Sequence, residues 1–147
     1  MLVLGCIIAG PIGGILITYL HGLLIRISGK LLNGKASSEE IRAALVWGYL
    51  PAICGMLLLP PQLVLFGNKL FTSWTLSPKD NILHFSLYYL FMLADLILGI
   101  WAFVITLKCI GQVQGFSAWK ALLNTILAGI LILIPILTII LLINLLK

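Results

Sequence analysis

Asp95 is the residue of this chain with the most chemistry to offer. It is the one acid inside a long apolar run, Ile82–Leu107. By insertion scales, a charged acid at the bilayer centre costs about 2.5–3.5 kcal/mol or more. Such a group is kept neutral or given a partner, and it marks either a tie between helices or a proton or ion pathway. No Lys or Arg occurs at matching depth. Pro135, in the last apolar run, removes the donor that would bond the Leu131 carbonyl. A neutral Asp95 donating to a freed carbonyl such as Leu131 would tie the third and fourth helices together. The competing expectation is a proton or ion path through Asp95. Under the structural reading, Asn should replace it without loss.

Little else in the chain could react. There is no HExxH, no GxSxG and no pair of acids placed for acid–base work. Cys6, Cys54 and Cys109 are far apart. They form neither a disulfide framework nor a zinc spacing and are expected to be structural thiols. Cys109, beside the membrane, is a candidate for acylation. His21 lies about one turn inside Arg26 and is expected to be hydrogen-bonded near the interface. No nucleotide-binding or metal-binding pattern is present, so the chain is expected to need no cofactor and not to be an enzyme. With an intramembrane enzyme set aside on these missing motifs, two classes of function remain. One is a membrane scaffold or interaction protein. The other is a small oligomeric transporter or channel using Asp95.

The elements that position these residues are set by solubility. Of the 147 residues, 62% are hydrophobic and 9% charged, and the mean hydropathy is +1.22. A soluble domain has roughly 45–50% apolar and about 25% charged residues. The solvent for most of these side chains is therefore lipid, and the net charge of +5 is a signature of membrane orientation, not of nucleic-acid binding. Four apolar runs, about 2–25, 43–66, 82–107 and 121–146, are each long enough to span. The expected fold is all-α, a polytopic transmembrane bundle forming one domain over 1–147. Small residues mark the expected packing faces, Gly10 with Gly14 on the first helix and Ala44, Gly48 and Ala52 on the second. Pro51 and Pro60 are expected to free the carbonyls of Trp47 and Met56.

The links carry the charge. The first holds Arg26, Lys30, Lys35 and Arg42, candidate contacts for anionic headgroups. Within it Asn33-Gly34 signals a turn, and Ser37 with Glu40 has capping-box spacing. The third holds Lys108 and Lys120, with Gln112, Gly115 and Phe116 between them. It is either a docking surface or a tight turn with interfacial aromatics. The second link, 67–81, carries Lys69 and Lys79, with Trp74 as an interfacial anchor. Six Lys and Arg in the first and third links outnumber Lys69, Lys79 and Lys147 on the other side. Links 26–42 and 108–120 are therefore expected in the cytoplasm. The expected partners are the lipid bilayer, a protein docked at these links and a second copy of the chain, with no nucleic acid.

Three stretches carry a resemblance. Gly10-Pro11-Ile12-Gly13-Gly14 lies in a first run that ends in Leu32-Asn33-Gly34-Lys35-Ala36-Ser37. Arg42-Ala43-Ala44 leads to Tyr49-Leu50-Pro51. Gln112-Val113-Gln114-Gly115-Phe116-Ser117 is followed by Lys120-Ala121. In their order and spacing they resemble the Yip family membrane domain, named for interaction with Ypt/Rab GTPases. The resemblance covers almost the whole chain. It implies a membrane protein of the trafficking or membrane-organising kind, usually with five spanning helices and a cytoplasmic amino terminus. With four spans, and without the long cytoplasmic tail through which many eukaryotic relatives act, the chain reads as a short or N-terminally truncated prokaryotic member in the cell membrane.

Overall fold

Backbone polar groups in lipid must be satisfied within their own segment, and helices are the simplest way to do this. The structure, a computed structural model, describes residues 2–67, 70 and 82–145, with side chains from Ala9 onward. Lys69, Trp74 and Lys79 of the second link lie outside the described residues, as does Lys147. Among the described residues there is no strand. Helix α1 is Leu2–Leu31, α2 Ser38–Gly48, α3 Leu50–Gly55, α4 Leu59–Phe66, α5 Ile82–Gln114 and α6 Ala118–Leu145. Four helical stretches are long and apolar enough to cross a membrane: Ala9–Leu31, Ser38–Phe66, Ile82–Gln114 and Ala118–Leu145.

The helices outrun the apolar runs. The first was expected to end near Ile25 and continues to Leu31; the third passes Leu107 and continues to Gln114. Hydropathy marks where lipid ends, whereas a helix ends where its backbone bonds are capped. Most of the first and third links is thus helical, and the turns within those two links are short.

The second span is not one helix. A 3-10 turn, Met56–Leu58, separates α3 from α4. Pro51 and Pro60 sit in the first turns of α3 and α4, where a missing N–H leaves no bond unmade. The Met56 carbonyl, expected to be free, accepts the Leu59 N–H instead. The helix is interrupted at Met56–Leu58 without leaving that group unpaired.

The chain divides into two compact units. The first comprises the chain up to Trp47 together with everything from Thr106 on. Here α1 packs on α6. Ile25, Ile41, Ala44, Leu45, Ile110, Ala121 and Ala128 form its core, with Phe116 packed against them. The second unit runs from Gly48 to Ile105. Its organising side chain is Phe66, buried and ringed edge-on by His84, Tyr88 and Phe91 of α5, at centroid distances of 6.4, 5.6 and 6.3 Å.

The small residues fare differently from one another. Ala44 and Gly48 are buried, while Ala52 is exposed. A Cβ added at Gly10 or Gly14 would meet nothing within 4 Å, so this pair faces open space.

Candidate functional site

The basic end of the first unit is built from two helix endings of the same design. Helix α1 closes with Asn33 at φ 62°, the Asn33 N–H on the Lys30 carbonyl and the Gly34 N–H on the Gly29 carbonyl. Helix α5 closes with Gly115 at φ 76°, the Gly115 N–H on the Gln112 carbonyl and the Phe116 N–H on the Gly111 carbonyl. Both are Schellman endings, which need a left-handed residue that Gly or Asn supplies most cheaply. Each is followed by a serine cap. Ser37 and Glu40 form the expected capping box, with Ser37 N–H donating to Glu40 Oε2 at 2.7 Å and Glu40 N–H to Ser37 Oγ at 3.3 Å. Ser117 Oγ accepts the Lys120 N–H at 3.4 Å.

Gln114 joins the two endings. Its side chain is 2% exposed, and its Nε2 donates to the Ile25 carbonyl at 3.4 Å. Its own carbonyl accepts the Lys35 N–H at 3.3 Å. The amide lies between two glycines with no room for a methyl group. A Cβ on Gly29 would stand 2.1 Å from Gln114 Nε2, and one on Gly34 would stand 2.0 Å from Oε1. Gly111 is as tightly placed, since its Cβ would lie 2.7 Å from the Phe116 carbonyl oxygen.

Beside this clasp, Ser28 and Asn124 are both fully buried and hydrogen-bonded to each other. The Ser28 hydroxyl faces Asn124 Oδ1 and the carbonyls of Leu24 and Asn124 at 2.9 and 3.1 Å. It has one proton to give, and Asn124 Nδ2 has no partner among the described residues. Turning the amide over lets Nδ2 donate to Ser28 Oγ and releases the hydroxyl proton for the Leu24 carbonyl, which gives Asn124 Nδ2 a partner. The pair ties α1 to α6 by a buried polar contact.

The candidates from the sequence distribute around this clasp. Gln112 and Gly115 are exposed; Phe116 packs on the core, with Lys120 Nζ 5.1 Å from its ring centroid. Lys30 and Lys35 are exposed. Arg26 Nη1 donates to Ser38 Oγ at 2.9 Å, and the Arg42 guanidinium lies 4.5 Å over the Tyr19 ring. Glycine at position 22 lets Arg42 lie flat on α1, because a Cβ there would meet Arg42 Cγ at 3.0 Å.

Asp95 belongs to the second unit and has a hydrogen-bond partner within it. Its Oδ2 accepts a hydrogen bond from Gln62 Nε2 at 3.0 Å. Asp95 is the acceptor here, so this bond needs no proton on the carboxyl. Gln62 lies one turn before Phe66 on the same face of α4, and Asp95 one turn after Phe91 on α5. The aromatic packing that seats Phe66 therefore brings the amide to the acid. Leu131 and Pro135 belong to the first unit, where α6 runs unbroken through Pro135 and Thr138 Oγ1 donates to the Ile134 carbonyl at 2.8 Å. Two cavities flank Asp95, one of about 170 Å³ bordered by Gln62, Phe66 and Tyr88, the other of about 310 Å³ bordered by Ala52, Gly55 and Gly99.

No group of three or more metal-ligating side chains occurs among the described residues. Gln62, Gln114, Ser28 and Asn124 were not singled out as site residues from sequence. Their signal was present as polar residues within or at the ends of apolar runs, and Gly29 and Gly111 stand at equivalent places before the two turns.

No curated protein and no solved structure matches the chain. The Yip1 domain model matches residues 1–140, nearly the whole length, and the chain accordingly belongs to the Yip family of integral membrane proteins.

Proposed function

We propose that this chain is a non-enzymatic membrane scaffold whose basic end, made of the first and third links, docks a protein partner in the cytoplasm. The observation that carries this reading is the clasp at Gln114. It joins two links far apart in sequence into one surface with a fixed shape, through a buried amide and a backbone bond from Lys35. Rigid placement of exposed groups lowers the ordering cost of docking. Lys30, Lys35, Lys108 and Gln112 are exposed on this end and suit an acidic partner surface. Trp119, 81% exposed, suits the headgroup region beside it. Asp95 is then a tie within the second unit, satisfied by Gln62.

Photo-crosslinking amino acids placed singly at Lys35 and at Gln112, in native membranes, test this. The reading expects both positions to capture the same cytoplasmic protein. Recovery of the chain with only itself and lipid from both positions would overturn it.

A further inference from the structure

We infer that the groove between α1 and α2 is a binding site for one anionic phospholipid of the surrounding leaflet, with an acyl chain along the groove and the phosphate on Arg42. The groove has a volume of about 650 Å³. Its floor and walls come from Pro11, Gly14 and Thr18 of α1 and from Val46 and Trp47 of α2, with Tyr19 and Arg42 at its mouth.

Its chemistry is graded along the membrane normal as a lipid is. From Tyr19 to Pro11 the α1 wall runs about 12 Å into the apolar layer. The Thr18 hydroxyl is spent on the Gly14 carbonyl at 2.8 Å, so it presents its methyl side. The absence of a side chain at Gly14 keeps the channel open, and nothing lies within 4 Å of where its Cβ would be. Arg42 is the one charged residue lining the groove, and it lies only a turn into α2. Its guanidinium stacks on Tyr19, and among the described residues no carboxylate pairs with it. A guanidinium over an aromatic face does not spend its N–H groups on that contact, and they suit two oxygens of a phosphate. A zwitterionic lipid would bring its own cation to the same place and gain less.

The proposal goes beyond protein docking at the links and does not depend on it. The experiment is native mass spectrometry of the detergent-solubilised chain after incubation with phosphatidylglycerol, with phosphatidylcholine of the same acyl chains, or with inorganic phosphate. The expected result is retention of phosphatidylglycerol about five-fold above phosphatidylcholine, the ratio for about 1 kcal/mol per cation at a headgroup surface. Free phosphate should neither bind nor compete. Arg42→Gln should bring phosphatidylglycerol down to the phosphatidylcholine level. Gly14→Leu, which projects into open space and leaves the helix intact, should fill the groove and reduce retention of both lipids. Lys30→Gln, at an exposed cation away from the groove, should change neither. Equal retention of the two lipids by the wild type would overturn the proposal. So would a preference that survives both Arg42→Gln and Gly14→Leu, or a lipid-free dimer.

Discussion

Gly34 and Gln114 show how a single missing methyl group is used. Gly34 sits just past the end of α1, and a Cβ there would meet both Gln114 Oε1 and, at 3.0 Å, the Gly29 carbonyl oxygen. Ala at this position must push the amide out of its pocket or distort the turn. The displaced amide loses its bond to the Ile25 carbonyl while remaining buried, a loss of about 1–3 kcal/mol. Gly34→Ala should therefore lower the thermal midpoint of the detergent-solubilised protein by several degrees. Gln114→Ala should also destabilise, but the two substitutions together should cost clearly less than the sum, because truncating the Gln114 side chain makes room for the methyl group added at Gly34. Strict additivity in that double-mutant cycle would mean that the glycine serves the backbone alone. The capping box of Ser37 and Glu40 was legible because its two members lie three residues apart. The clasp was not, because Gln114 bonds a residue 89 positions away. A local pattern cannot report a contact that only the fold of the first unit, bringing Gln114 to the end of α1, creates.

At the scale of elements, the two Schellman endings decide where helices stop and therefore where the short links begin. Asn33 is the one non-glycine residue at positive φ among the described residues. Asn tolerates that region, and a β-branched residue does not. Asn33→Gly should leave stability within a few tenths of a kcal/mol. Asn33→Val should cost about 1–2 kcal/mol and loosen the Lys35–Gln114 bond, which hydrogen exchange at the Lys35 amide would detect. Equal behaviour of the two variants would show that the left-handed turn contributes nothing to the link. The Asn33-Gly34 signal gave the position of the turn correctly, whereas hydropathy gave the helix ends poorly. Arg26, Lys30 and Lys108 are too polar for an apolar run and yet continue α1 and α5. The prolines misled in a similar way. Proline removes a donor wherever it stands, but only the structure tells whether that donor was needed. At Pro60 it was not, since α4 begins there and the Leu59 N–H takes the Met56 carbonyl.

For the molecule as a whole, the question is which way it sits in the membrane. By the charge rule, the excess of Lys and Arg in the first and third links is expected to put both in the cytoplasm, and that rule treats each link separately. The clasp adds a constraint that owes nothing to charge. A backbone hydrogen bond from Lys35 to Gln114 requires both links to lie on one side of the bilayer, whatever their composition. The six basic residues then act together, and reversing the orientation would carry all of them across at once. In a background with Cys6, Cys54 and Cys109 replaced by serine, Lys35→Cys and Gln112→Cys should both react with a membrane-impermeant maleimide in inside-out vesicles. Neither should react in intact cells. Reaction of both from outside would invert the orientation and leave the clasp standing. Reaction from opposite sides would break the clasp itself, and with it the docking surface built on the two links.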